Sequence, residues 1–226
     1  MKEAKWNFWQ ALFVILLIYG AEVFLGWMNP SLNVEILTGF LKYFGIGIGE
    51  TLLVLLGLFL FIKIIRASFA DLGLSSLKPV HLFTGLTGGI FLFAITGLLG
   101  TFIASILGTP SPQSFAMAVS GADSIWKYVF LFILGGLLAP FQEEVIFRGL
   151  IYPPLRGDYG KWKGILLTAT FFAAMHFDLM RFIPLLAGGI VLTWLYEQSK
   201  SLWPAVIAHS TWNILMIILI IVQKGL

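Results

Sequence analysis

The clearest indication of the fold is the stretch LFILGGLLAPFQEEVIFR, which covers residues 131–148. Most of it is apolar enough to lie in lipid, yet Glu143 and Glu144 stand side by side within it. A carboxylate at membrane depth costs several kcal/mol unless it is paired, protonated or facing water inside the protein. The stretch therefore predicts a membrane-spanning helix that carries a polar site.

The composition of the whole chain supports a membrane protein. Of its 226 residues 59% are hydrophobic and 11% are charged, whereas soluble domains are about 25% charged. The net charge of +3 is small, and the basic residues lie between apolar segments, so they indicate membrane orientation and not a nucleic-acid partner. The chain has no cysteine, which excludes disulfides, thiolate metal sites and a cysteine nucleophile.

Hydropathy predicts an all-α, polytopic membrane protein of about seven to eight transmembrane helices that enclose an intramembrane polar cavity. We treat residues 1–226 as a single membrane domain, with N-terminal helices in 1–107 and, in 125–222, a helical core that carries the polar motifs. Pro140 predicts a kink in the fourth helix, and the segment 108–124 predicts an external loop. The seven helices that can be delimited are residues 8–28, 43–65, 81–107, 125–152, 163–177, 182–196 and 203–222.

Three short motifs place polar residues inside the apolar segments of the second half. Glu144 and Arg148 are four residues apart and share a helix face, while Glu143 is offset by about 100° around the axis. Counting the rise of each helix brings the three motifs to overlapping depths, so we expect them to meet in one cavity. The candidate site residues are Glu143, Glu144, Arg148, His176, His209 and Asn213.

A carboxylate, two imidazoles and an amide in one cavity suit the hydrolysis of a bond by activated water. A glutamate can serve as general base, one histidine can hold the water, and the second histidine and the amide can donate to the oxyanion. The same residues offer a zinc site formed by Glu143, His176 and His209, with one position open for water. Both alternatives stay open, so zinc is a candidate cofactor and no cofactor is certain.

The three motifs, E-E-x-x-x-R, F-x-x-x-H and H-x-x-x-N, resemble the signature motifs of the CPBP intramembrane protease family. That family includes the type II CAAX prenyl endopeptidases and Abi-like bacterial relatives, some of them linked to bacteriocin immunity. The resemblance runs from the fourth predicted helix to the C-terminus, and the motifs occur in family order on separate helices. Because the chain is compact, it looks like the prokaryotic members.

The resemblance implies a role for each candidate residue. Glu143 would be the general base and His176 its partner on the water, while His209 and Asn213 would stabilise the oxyanion. Glu144 and Arg148 would complete the site. Relatives of this kind have been described both as metalloproteases and as glutamate-dependent proteases, so the resemblance leaves the metal open.

Our first functional prediction is an intramembrane endopeptidase that acts on a peptide or protein substrate, with CAAX-type C-terminal processing of a lipidated substrate as one form. The alternative is a non-catalytic bacteriocin-immunity or scaffold membrane protein. A transporter is a third class, because intramembrane acids and histidines also relay protons, but the halves show no repeat symmetry.

The distribution of charge predicts where the protein lies. With the N-terminus in the cytoplasm, most of the 14 lysines and arginines fall on the cytoplasmic side, as the positive-inside rule requires. We therefore predict an integral protein of the prokaryotic plasma membrane with a cytoplasmic N-terminus. The sequence predicts no oligomeric state. Glu22 and Glu50 also lie in apolar helices, and the resemblance assigns them no role.

Overall fold

The structure is a computed structural model that describes residues 4–28 and 36–225, with side chains described for 4–20 and 44–225. Within these ranges the chain forms helices joined by turns and loops and contains no strand. The first three helices are α1 (Phe8–Met28), α2 (Ile36–Ile64) and α3 (Pro79–Leu107). The last three are α8 (Lys161–Ala174), α9 (Phe182–Ser199) and α10 (Trp203–Gly225).

Between these groups lie a short helix and one long helix. The short one is α4 (Ser114–Gly121). The long helix changes its winding along its length, and its consecutive segments are α5 (Ile125–Leu131), π1 (Phe132–Leu138), α6 (Ala139–Glu144), π2 (Val145–Ile151) and α7 (Tyr152–Tyr159).

The helices confirm an all-α membrane protein with several spans. Four of them are long and apolar enough to cross a bilayer: Phe44–Ile64, Pro79–Leu107, Ile125–Tyr159 and Trp203–Gly225. Helix α8 has 14 residues, about 21 Å at 1.5 Å per residue, which is less than the ~30 Å hydrocarbon core. All seven predicted helices exist as helices, while seven to eight complete crossings remain a prediction.

Close packing between α3 and α10 positions the part of α10 that carries His209 and Asn213. Gly85 and Gly89 lie one turn apart on α3 and face α10. A Cβ at Gly89 would stand 2.4 Å from the Cβ of Thr211 and 2.6 Å from the carbonyl oxygen of Ala208. Small residues spaced by four let the backbones of two membrane helices approach this closely. The approach holds the segment with His209 against the middle of the bundle.

The long helix continues through Pro140, where the sequence predicts a kink. Proline has no N–H and cannot donate to the carbonyl one turn earlier. The helix accommodates the missing donor in π1, where the N–H of Ala139 reaches back five residues to the carbonyl of Leu134. Such π turns inside α-helices are rare and often lie at functional sites. Here one precedes and one follows the segment that carries both glutamates.

Two boundaries differ from the predicted ones in ways that concern the site. The segment 108–124 is not all loop, because residues 114–121 form α4 and bury Val119 against Leu131 and Ile217. The fifth helix, predicted to reach residue 177, ends at Ala174. The chain then turns, and Phe177 adopts a left-handed backbone with φ 50°. His176 therefore lies in the turn after α8 and not inside a helix.

Candidate active site

A buried ion pair lies at the centre of the site. Glu144 and Arg148 are one turn apart on the long helix, both side chains are fully buried, and Nη1 of Arg148 donates to Oε1 of Glu144 at 2.7 Å. The other guanidinium nitrogens reach α9, where Nε donates to Oγ1 of Thr193 at 3.2 Å and Nη2 to the carbonyl of Gly189 at 3.1 Å. The arginine thus joins two helices while it neutralises the glutamate.

His209 connects this ion pair to α10. Its Nδ1 lies 2.8 Å from Oε1 of Glu144, so that single oxygen is approached by both an imidazole and a guanidinium nitrogen. Since a carboxylate accepts hydrogen bonds, the natural arrangement has Nδ1 of His209 as the donor, which points Nε2 the other way. His209 is 4% exposed and its ring lies against Trp212. Its orientation is therefore fixed on both sides.

Glu143 faces the free edge of this imidazole. Its Oε2 lies 3.9 Å from Nε2 of His209, too far for a direct hydrogen bond but close enough for one water to contact both atoms. The side chain of Glu143 is 25% exposed, whereas Oε2 itself is buried and has no hydrogen-bond partner among the described residues. An unpartnered buried carboxylate oxygen indicates a place for a water or a substrate atom.

His176 joins the site through an aromatic ring. Its Nδ1 lies 2.8 Å from the carbonyl oxygen of Phe172, and because a carbonyl only accepts, Nδ1 is the donor and Nε2 is left to interact elsewhere. The Phe172 ring lies 4.8 Å from the His176 ring and 5.9 Å from the His209 ring, centroid to centroid. The Phe172 ring thus lies next to both imidazoles. No described contact joins His176 to Glu143.

Asn213 has a structural partner. Its Nδ2 donates to the carbonyl oxygen of Gly135 at 2.8 Å. In π1 that carbonyl would be paired with the N–H of Pro140, which does not exist. The amide of Asn213 therefore fills a gap that proline opens in the long helix. One of its two N–H groups is used in this way, which leaves the other for the oxyanion role that the resemblance implies.

The comparison with known proteins covers this same part of the chain. Residues 125–215 match the family described as "Type II CAAX prenyl endopeptidase Rce1-like". This part of the chain is therefore similar to that family. The matched range contains all six candidate site residues, and it confirms the family resemblance predicted from the three motifs. No solved structure gives a significant match to the chain.

Curated bacterial proteins are also similar to part of the chain. "Putative membrane peptidase YdiL" of Bacillus subtilis (strain 168) is 26% identical over 123 residues, which is 54% of this chain and 50% of that protein. "UPF0177 protein YbdI" of Lactococcus lactis subsp. lactis (strain IL1403) is 28% identical over 97 residues, 42% of this chain and 52% of that protein. "UPF0177 protein YaiF" of the same strain is 31% identical over 91 residues, 38% of this chain and 39% of that protein. The chain thus spans about half, or less, of the length of these relatives.

The donor set of the candidate site does not fit a three-ligand zinc site as it is arranged. Among the residues with described positions, no three His, Cys, Asp or Glu side chains are grouped closely enough to hold a metal ion. Glu143 and His209 face each other, but Nδ1 of His209 points to Glu144 and Nδ1 of His176 to a backbone carbonyl. The zinc alternative gains no support from this geometry and remains a prediction.

Sequence reasoning missed two partners of the central ion pair. Thr193 and Gly189 lie on α9, which contains none of the three motifs, and both accept from Arg148. The signal that could have found them is their spacing of four residues inside an apolar helix, which places a hydroxyl and an approachable carbonyl on one face. The side chain of Glu22 lies outside the described residues.

Proposed function

We propose that this chain is an intramembrane endopeptidase in which Glu143 activates the water that hydrolyses a peptide bond. The observation that carries the proposal is the 3.9 Å separation between Oε2 of Glu143 and Nε2 of His209. His209 is held in that orientation by Glu144, which is itself held by Arg148. A base, an oriented imidazole and a residue that orients it are the parts that such chemistry needs.

The proposed reaction needs no covalent intermediate. Glu143 takes a proton from the water as the water oxygen bonds to the peptide carbonyl carbon, and the carbonyl electron pair moves onto its oxygen. A protonated His209 and the second N–H of Asn213 donate to that oxyanion. When the intermediate collapses, the carbon–nitrogen bond breaks and Glu143 passes its proton to the leaving nitrogen. The products are one carboxylic acid and one amine.

The charges of the cluster favour this assignment. The guanidinium of Arg148 pairs with Glu144, and the ring of His209 lies 2.8 Å from Glu144 and 3.9 Å from Glu143. A carboxylate with such partners is less costly to bury at membrane depth than an isolated one. The arrangement also leaves Glu143 as the one acid of the pair whose side chain is partly exposed and can meet a substrate.

We further propose CAAX-type processing as the substrate class, on the basis of the family match. The substrate would be a peptide or protein with a lipidated cysteine near its C-terminus, and cleavage would occur beside that cysteine. The location we propose is the prokaryotic plasma membrane with the N-terminus in the cytoplasm. The positive-inside rule supports that orientation.

The test uses the purified full chain in lipid vesicles and peptides whose cleavage is followed by mass spectrometry. One peptide ends in a farnesylated CAAX sequence and its partner lacks the farnesyl group. We expect cleavage by the wild type and a loss of 10²-fold or more in Glu143→Gln, since a positioned general base contributes about 10²–10⁴-fold. The matched control is Asp158→Asn, which removes a carboxylate charge from the exposed end of α7 and should cleave at the wild-type rate.

Two results would contradict the proposal. A folded Glu143→Gln protein that cleaves at the wild-type rate would remove Glu143 from the reaction. A wild-type protein that cleaves neither peptide nor any member of a peptide library would favour the non-catalytic alternative, and proton flux into vesicles that depends on Glu143 would favour the transporter.

A further inference from the structure

A second polar cavity lies beside the proposed active site, between α2, α4 and the long helix. Its volume is about 180 Å³ and its lining includes Glu50, Thr51, Phe115 and Gln142. Pockets for whole small molecules are usually 300–1,000 Å³, so this one has room for about one extended side chain. Phe115 of α4 is part of this lining and packs against Gly135, where a Cβ would stand only 2.1 Å from the ring.

The cavity adjoins the proposed active site along the long helix. Ala139 lines the cavity and precedes Glu143 by one helical turn, so the two residues share a face. Side chains of a helix lean toward its N-terminus, which brings the carboxylate of Glu143 toward the turn of Ala139. Gly135, one turn before Ala139, also lines the cavity, and its carbonyl oxygen accepts from Asn213. A substrate held at Glu143 could therefore place a neighbouring side chain here.

The polar groups of the cavity are predominantly hydrogen-bond acceptors. Glu50 supplies a carboxylate from the midpoint of α2 (Ile36–Ile64), and no ion pair between described side chains includes it. Oε1 of Gln142 is buried without a hydrogen-bond partner among the described residues. The hydroxyl of Thr51 donates to the carbonyl of Gly47 at 2.8 Å, so its oxygen can only accept a further hydrogen bond.

From this arrangement we infer that the cavity is a specificity site for a basic side chain of the substrate, next to the bond that is cut. An ammonium group matches a lining of this kind, because it is a cation with three donors and no acceptor. It would also neutralise a carboxylate at membrane depth that has no ion-pair partner among the described side chains. The inference rests on the proposed peptidase function and adds which substrates that site selects.

The first test measures selectivity. Pairs of peptides that differ only by Lys or Gln at one position are compared, position by position on both sides of the cut. We expect the wild type to show a kcat/KM ratio of tenfold or more for Lys over Gln at one position. In Glu50→Gln the ratio should fall to about one, in Gln142→Met it should fall by about threefold, and in the charge control Asp158→Asn it should stay at the wild-type value.

The second test measures binding without cleavage. The probe is n-butylammonium, which copies the end of a lysine side chain, and n-butanol is its neutral counterpart. Saturation-transfer NMR with the full chain in detergent should show saturable binding of the cation, at least tenfold weaker in Glu50→Gln and unchanged in Asp158→Asn. Circular dichroism checks that each variant is folded, and Gln142→Met provides the readout if Glu50→Gln does not fold.

The outcomes separate this inference from the peptidase proposal. Cleavage of peptides with a Lys-to-Gln ratio near one at every position, or an unchanged ratio in Glu50→Gln, overturns the inference and leaves the peptidase standing. Binding of n-butylammonium that depends on Glu50, in a protein that cleaves no peptide, supports the cation site and contradicts the peptidase.

Discussion

Replacing Arg148 by methionine should destabilise the protein strongly, and a second change should restore stability without restoring activity. Arg148→Met keeps most of the side-chain volume but leaves Glu144 as a buried charge without its guanidinium partner. It also removes the donors to Thr193 and Gly189 on α9. In the double variant Arg148→Met/Glu144→Leu both charges are gone and the space is filled by apolar atoms.

The expected magnitudes follow from burial. Both side chains are fully buried, and removing one partner of such a pair typically costs about 3–5 kcal/mol, whereas replacing both partners by apolar residues is often close to neutral. We therefore expect a loss of about 3–5 kcal/mol in the free energy of unfolding for the single variant, and recovery of most of it in the double variant. Activity should stay lost in both, because Nδ1 of His209 no longer has Glu144 properly placed to orient it.

The assay is unfolding by SDS in mixed micelles, followed by circular dichroism, together with peptide cleavage. The conservative control is Arg148→Lys, which keeps the charge but not the three-way hydrogen bonding, and should lie between the wild type and Arg148→Met. A single variant within about 0.5 kcal/mol of the wild type would refute the structural role of the pair. A double variant with wild-type activity would refute the view that Glu144 acts by orienting His209.

Three more predictions concern other contacts. Asn213→Ala should lower stability by about 1–3 kcal/mol in the same unfolding assay, because the Gly135 carbonyl then lacks a donor. Asn213→Gln displaces the amide by one methylene and tests whether the position of the amide matters. No loss of stability in either variant would contradict this account of π1. The hydrogen bond from Lys5 holds the pKa of Asp71 at about 2, below its usual 3.8, so the pair stabilises the fold above about pH 4 and that contribution disappears as the pH falls toward 2. The difference in unfolding midpoint between wild type and Asp71→Asn should therefore shrink over that range. A difference that stays constant with pH would count against the pair. Cleavage should persist after exhaustive treatment with a chelator, because the donor set does not form a three-ligand site; activity that is lost with bound zinc and returns when zinc is added would show that zinc is required.

The apolar pattern was sufficient to predict the helices, but not their ends or winding. The seven predicted helices were found because lipid-facing segments need long apolar runs whatever their partners are. The end of α8 before His176 could not be read from the sequence, since Met175 and Phe177 continue the apolar pattern through the turn. The π turns around Glu143 depend on where Pro140 leaves a carbonyl unpaired and on which helix supplies a donor to that carbonyl. Only the tertiary structure shows which helix supplies it.

The motifs supplied the candidate site residues but little about the contacts between them. The pairing of Glu144 with Arg148 follows from helix spacing alone and is confirmed by their hydrogen bond. The contact between Glu144 and His209 joins residues 65 positions apart, and nothing local in the sequence says which glutamate the histidine would meet. Glu50 stood out only as an acid in an apolar helix, and its place beside Gln142 depends on how α2 packs against the long helix.

The most direct test of the central claim is chemical rescue of the proposed base. Glu143→Ala removes the carboxylate and leaves space for a small acid, so we measure its rate of peptide cleavage as a function of added formate. If Glu143 is the general base, the variant should be inactive alone and should recover activity with rising formate, while Glu144→Ala should not recover. Wild-type activity in Glu143→Ala without formate, or equal rescue of both variants, would contradict the claim that Glu143 activates the water.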